Sequence, residues 1–141
     1  MKKNDNDNIG STDFVLFDNI DIDQLKMIVG NDEQICTFLL NELFDQIECA
    51  FKSFDEYIEV QNILEIKKTA HTIRGASSQL GINFVYKYMI NIENICENIK
   101  NENDKNINDG NVKKINITIN ELKPLYNTLK ENFDNIVKMI K

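Results

Sequence analysis

From Val112 to Ile140 the chain repeats one pattern without a break. Val112, Ile115, Ile119, Leu122, Tyr126, Leu129, Phe133, Ile136 and Ile140 follow one another three and four residues apart. Side chains at that spacing share one face of an α-helix, whereas a strand would send successive side chains to opposite faces. Such a seam packs against other helices in a bundle. Pro124 falls inside it, off the seam. Because the apolar phase survives across Pro124, the pattern predicts one kinked helix rather than two.

The rest of the chain fits the same architecture. With five Gly and one Pro in 141 residues, there is little punctuation, and few turns mean long elements. Asp21 or Asp23 can cap a short helix through Leu25, Met27, Ile28 and Val29, with Gly30 as its stop. The acidic run Asn31-Asp32-Glu33 then opens a helix from about residue 32 to about 55, carrying Ile35, Leu39, Leu43, Ile47, Ala50 and Phe54. Asn62 with Glu65 resembles a capping box and starts a helix to about Leu80, with Gly81 just past its end. Its stripe is Ile63, Ile66, Ala70, Ile73, Ser77 and Leu80. Another helix begins near Asn83 and carries Val85, Tyr88, Ile92, Ile95 and Ile99. Residues 101–110 form a polar loop. No segment alternates with period two over a useful length, which predicts no sheet. The expectation is an all-α fold: an antiparallel up-down-up-down four-helix bundle with a short extra N-terminal helix. It forms one domain over residues 14–141, and the Asn- and Asp-rich residues 1–13 precede it as a disordered polar tail. The clip Phe14-Val15-Leu16-Phe17 is too short to be a core element alone.

Composition removes several function classes. The net charge of −7, from 16 basic and 23 acidic residues, lacks the basic excess of a nucleic-acid binder. The N-terminus has no apolar stretch of a signal peptide, and nowhere do 18 apolar residues run together to span a membrane. Cys36, Cys49 and Cys96 are odd in number, widely spaced and without a C-x-x-C, so they read as buried free thiols in a reducing compartment. Residues 104–110 tempt an EF-hand reading. With Gly110 at position 6, however, Lys105 and Ile107 would be ligands and Asn116 would replace the bidentate Glu. No metal site is expected.

One segment stands apart. The composition holds 21 Asn and 21 Ile, and 15 Lys against a single Arg. That single Arg, Arg74, lies three residues from the single His, His71. At about 100° per residue, the centre of the apolar stripe lies roughly 130° from His71, so the imidazole points to solvent from the middle of a helix. Lys67, Leu64, Gly75 and Ser78 lie on the same face, with Lys68 a little further round and Arg74 at the shoulder. Gly inside a helix costs about 0.5–1 kcal/mol relative to Ala. Gly75, one turn after His71 and away from the stripe, clears space beside the ring. Lys67, Lys68 and Arg74 surround the ring with cations that bind phosphate oxygens. A mostly neutral exposed imidazole is a competent nucleophile.

The run His71-Thr72-Ile73-Arg74-Gly75-Ala76-Ser77-Ser78-Gln79-Leu80-Gly81 closely resembles the signature of histidine-containing phosphotransfer domains. In that signature a His is followed by any residue, Leu or Ile, Lys or Arg, Gly, small residues, and Gly ten places on. Leu43-Phe44-Asp45-Gln46 is similar to the corresponding helix of stand-alone eukaryotic phosphorelay intermediates, and the resemblance spans about residues 20–141. It implies that His71 accepts a phosphoryl group from the Asp of a receiver domain in a hybrid histidine kinase. His71 then passes it to the Asp of a response regulator's receiver. It further implies that Gly75 keeps His71 accessible, that Arg74 stands where Lys is usual, and that Gln46 and Glu93 buttress the imidazole. Ala76 stands where Ser is frequent; Ser77 and Ser78 remain. Leu64 and Lys68 offer a docking point. The implied protein is a cytoplasmic or nuclear monomer with no cofactor of its own, and Mg²⁺ resides on the partner receiver.

The inventory agrees: no Gly-rich phosphate loop and no kinase motif occurs, which suits a phosphate carrier rather than an autonomous kinase. An alternative is a helical interaction module that docks receivers without carrying phosphate, in which His71 is dispensable. A hydrolase using His71 as base lacks a Ser or Cys nucleophile in a suitable position.

Overall fold

The computed structural model describes residues 19–101 and 110–141. It is all-helical, with no strand among the described residues. The helices are α1 (Ile22–Val29), α2 (Glu33–Glu59), α3 (Ile63–Gln79), α4 (Asn83–Asn101), α5 (Gly110–Glu131) and α6 (Phe133–Met139). The expected tail at 1–13, the clip Phe14–Phe17 and the loop over 102–109 lie outside the described residues.

The starts of the helices follow their capping residues. Asp21 Oδ1 accepts from Gln24 N at 3.0 Å to open α1. Asp32 Oδ1 accepts from Gln34 N at 2.9 Å and from Ile35 N at 3.1 Å to open α2. Asn62 Oδ1 accepts from Glu65 N at 3.2 Å to open α3. Each satisfies amides that have no partner within the helix. Only half of the expected capping box forms, because the Asn62 backbone amide donates to the Tyr57 carbonyl at 2.8 Å instead of to Glu65. Gly30 ends α1 at φ +64°.

The apolar stripes meet in one core, except that at the start of α2 the expected Ile35 is 46% exposed and Leu39 half-buried, and Cys36 and Leu40 are the buried residues. Leu40, Leu43, Ile47 and Phe54 of α2, Ile66, Ala70 and Ile73 of α3, and Val85, Met89 and Ile92 of α4 are buried. Ile115, Ile119, Leu122, Tyr126 and Leu129 of α5 join them with Ile136 and Ile140 at the C-terminal end. Each Val, Leu, Ile, Phe or Met among them contributes about 1.5–3 kcal/mol when fully buried. The most extensive pairing is α3 with α4; α3 also packs on α2, and α4 on α5. The Tyr126 hydroxyl ties α5 to α2, lying 2.5 Å from Glu48 Oε2 and 3.1 Å from the Phe44 carbonyl. Lys130 and Tyr126 together hold the Glu48 carboxyl below its usual value.

Three expectations need correcting. The C-terminal seam is two helices, and the break falls at Asn132 instead of producing a kinked single helix. Pro124 sits inside α5, where the Thr128 hydroxyl donates to its carbonyl at 3.1 Å. At Asn132 the side-chain amide donates to the Thr128 carbonyl at 2.9 Å, competing with the backbone ladder, and φ/ψ leave the helical region at −100°/15°. Cys49 is exposed, unlike Cys36 and Cys96. It falls between the core positions Ile47 and Ala50, on the side of α2 that faces α3. Burial pushes the Cys96 thiol up to about 12. In α1 only Leu25 and Val29 are buried, and Met27 stands 80% exposed.

Candidate functional site

The register of α3 and α4 builds the site. On α3, Ile66, Ala70, Ile73 and Ser77 face the core, which turns His71, Thr72, Gly75 and Ser78 to the surface. On α4, Ile92 and Cys96 are buried, so Glu93 and Glu97 stand one position on and one turn apart at the edge next to α3. Lys67 and His71 are likewise one turn apart. The two helices therefore meet through two polar rungs. Lys67 pairs with Glu97, and His71 Nδ1 lies 3.0 Å from Glu93 Oε2. Glu97 at its side keeps the Lys67 ammonium protonated above its ordinary range.

Arg74 completes the second rung. Its Nη2 lies 2.9 Å from His71 Nδ1, and its Nε lies 2.9 Å from Glu93 Oε1. The Nε contact is a close charge pair whose N–H is not aligned for a hydrogen bond. Exposure grades sharply across the group: the His71 side chain is 64% exposed, Arg74 32% and Glu93 14%. The carboxylate is thus the sheltered member and the imidazole the open one.

Nδ1 cannot satisfy both neighbours at once. An ionised carboxylate only accepts, and a guanidinium only donates. If Nδ1 carries the proton, it donates to Glu93 in a charge-assisted bond, and Nε2, on the opposite edge of the ring, keeps its lone pair. If Nδ1 is bare, it accepts from Arg74 and the proton sits on Nε2. The first arrangement is favoured here. Glu93 is sheltered and anchored by Arg74 Nε, whereas the terminal guanidinium nitrogens of a third-exposed Arg74 can turn to water. That tautomer presents Nε2 as a nucleophile on the open side.

The remaining predicted residues divide. Leu64, Lys67, Lys68, His71, Thr72 and Glu93 line one open cavity of about 450 Å³. Leu64 is 55% exposed there. Lys68 has Glu65 at 3.6 Å, a loose surface pair that leaves the ammonium 64% exposed. A Cβ built on Gly75 would meet nothing within 4 Å, so the space beside His71 is open. Ser78 is exposed on the same face. Gln46 makes no polar contact with His71; it lies across the α2–α3 groove with Thr72 and Ile73. Sequence reasoning missed Glu97. Its spacing of four from Glu93, matching that of Lys67 and His71, was the available signal. No group of three metal-ligating side chains occurs among the described residues.

No family model, no curated protein and no solved structure matches the chain.

Proposed function

We propose that this chain is a histidine phosphocarrier of a multistep phosphorelay, with His71 as the residue that carries the phosphoryl group. The observation that carries the proposal is the exposed imidazole whose Nδ1 is held by a sheltered carboxylate, 3.0 Å away, with open space at Gly75. In the forward step the Nε2 lone pair forms an N–P bond while the P–O bond to a receiver Asp breaks, and its electron pair stays on the Asp carboxylate. Nδ1 keeps its proton and the ring becomes cationic, which Glu93 stabilises. In the reverse step the N–P electron pair returns to Nε2, and the leaving group is neutral imidazole rather than imidazolate. Arg74 steadies Glu93 from 2.9 Å and places a second positive charge beside the ring. Lys68, only loosely paired with Glu65 at 3.6 Å, adds an exposed positive charge. Mg²⁺ and the reacting Asp come with the partner, a receiver domain of a hybrid histidine kinase on one side and of a response regulator on the other.

The antiparallel up-down arrangement belongs to the same proposal. It is supported by the grooves beside α3, where the α2 residues run from Leu39 to Ser53 as their α3 neighbours run from Leu80 back to Thr69. A monomer in the cytoplasm or nucleus suits this role.

Incubation with a phosphorylated receiver domain tests the assignment. The label acquired is expected to be acid-labile and alkali-stable, as a phosphoramidate is, and absent from folded His71→Gln protein. Label persisting on His71→Gln would end it.

A further inference from the structure

Lys67, His71 and Arg74 of α3 meet Glu93 and Glu97 of α4 along one edge. Lys67 stands one turn from His71, and Glu97 one turn from Glu93, so the Lys67 ammonium has both carboxylates near it. Its hydrogen bond with Glu97 holds it protonated above its ordinary range, and the charge of Glu93 acts in the same direction. Glu93 already serves two groups: Oε2 lies 3.0 Å from His71 Nδ1, and Oε1 lies 2.9 Å from Arg74 Nε. The imidazole also has a second neighbour, because Arg74 Nη2 lies 2.9 Å from Nδ1. Two states of the ring are therefore within reach. In one, Nδ1 donates to Glu93 and Nε2 is bare. In the other, Nδ1 accepts from Arg74 and the proton sits on Nε2, which then has no lone pair to offer.

We propose that Glu97 is a positioning residue: by engaging Lys67 it keeps that ammonium off Glu93, and so keeps the Nδ1–H tautomer of His71 in place. The proposal rests on the phosphocarrier reading for why that tautomer matters. Lys67 is a strong rival for the Glu93 carboxylate, because a bond between two ionised groups outlasts one from a neutral ring N–H. Its side chain is only 30% exposed and runs along the α4 edge. Glu93, at 14% exposure, sits where water screens an ion pair less. Without the Glu97 charge, the ammonium turns to Glu93 Oε2 and Nδ1 loses its acceptor. The ring then accepts from Arg74: Nδ1 gives its proton to solvent and Nε2 takes one from solvent, with no change in ring charge. The outward nitrogen is no longer a nucleophile. Lys68 is no such rival. It lies about 100° further round the helix, with Glu65 of its own helix as a loose partner at 3.6 Å.

The chain has a single His, so the imidazole nitrogen resonances of the full-length protein report this one ring. Their chemical shifts under mildly alkaline conditions give the ratio of Nδ1–H to Nε2–H tautomers. The parent is expected to show Nδ1–H in excess. Glu97→Gln removes the charge, keeps the size and lies at a 45% exposed site, so the bundle is left intact. It should lower the ratio about tenfold, the scale of one charge-assisted hydrogen bond. Lys67→Met/Glu97→Gln removes the rival together with its partner and should restore the parent ratio. Lys68→Met/Glu97→Gln has the same net charge but retains Lys67, and should stay with Glu97→Gln. The proposal is overturned by Nε2–H in excess in the parent, or by an unchanged ratio in Glu97→Gln. Failure of Lys67→Met to restore the ratio, or equal restoration by Lys68→Met, overturns it as well. No phosphoryl donor enters this measurement. The carrier reading can therefore fail while the tautomer follows Glu97, and the role of Glu97 can fail while label still reaches His71.

Discussion

Gly75 and Gly81 lie six residues apart, one inside α3 and one just past its end, and they do opposite work. Gly75 has ordinary helical geometry, and a Cβ there would meet nothing within 4 Å. Gly81 sits at φ +78°, and a Cβ there would lie 2.4 Å from the Asp21 carbonyl oxygen. Its own carbonyl accepts from Asp21 N at 2.7 Å, and neighbouring Ile20 bridges to Ile82. The fold therefore needs glycine at 81, whereas at 75 it tolerates a side chain. Under the proposed carrier role, a glycine that costs helix stability and relieves no contact would leave room for a partner to come close.

That contrast can be broken in either direction. The largest effect is expected from Gly75→Gln, which should reduce phosphoryl transfer onto His71 by at least about a hundredfold through blocked approach, about 2.7 kcal/mol at 1.36 kcal/mol per decade. Its melting temperature should equal or slightly exceed that of the parent. Thermal unfolding followed by circular dichroism, beside a transfer time course, decides the matter. A variant that melts early yet transfers normally in its folded fraction would make Gly75 a packing residue.

Gly81→Ala should behave in the converse way. A left-handed φ for a non-glycine residue costs about 1–2 kcal/mol. The clash with Asp21 raises the total to roughly 3 kcal/mol, which lowers the melting temperature by about 10 °C for a chain of this size. Because His71 lies ten residues before Gly81, two turns inside α3, transfer by the folded fraction should stay within about twofold of the parent. Urea titration, with transfer measured well below the midpoint, separates the two.

A smaller change is expected at Arg74. Arg74→Ala should shift the phosphoryl equilibrium toward the partner Asp by roughly tenfold, equivalent to about 1.4 kcal/mol, by loosening Glu93 and removing a cation beside the ring. Arg74→Lys should restore part of this and no more. A single ammonium cannot replace the planar guanidinium, whose Nε stands 2.9 Å from Glu93 Oε1 while its outer nitrogens remain on the His71 side. The label ratio between this protein and one receiver at equilibrium is the measurement; full restoration by Lys would reduce Arg74 to a point charge. The smallest effect is Gly75→Ala, which should stabilise the bundle by about 0.5–1 kcal/mol with little change in transfer, because a methyl group leaves most of the approach open. Destabilisation by that substitution would remove the contrast with Gly81.

Much of this was legible in the chain because the signals are local. Capping by Asp21 and Asn62, the stop at Gly81 and the burial of most of the three-and-four stripes depend on residues within a turn or two of each other. The exposure of His71 and Gly75 follows from the same wheel that buries Ile73 and Ser77. The break at Asn132 was not legible, since an Asn can cap, bend or simply face water, and its bond to the Thr128 carbonyl decides which. Cys49 was misplaced because composition favours buried thiols, whereas its angular position on α2 turns it into the groove.

Periodicity alone determined that the chain is helical, which faces are apolar and which helix displays the lone histidine, because each of these depends on spacing along one segment. Which partners that histidine has was decided by packing. Glu93 lies twenty-two residues on, in another helix, and reaches Nδ1 because the α3–α4 contact sets both helices at one rotation about their own axes. The same contact gives Lys67 to Glu97 and leaves Lys68 only a loose pair with Glu65 on its own helix. Side-chain periodicity carries no information about a second helix's rotation or axial shift. Those are settled by how the buried faces of α3 and α4 pack together in a core whose density permits few alternatives.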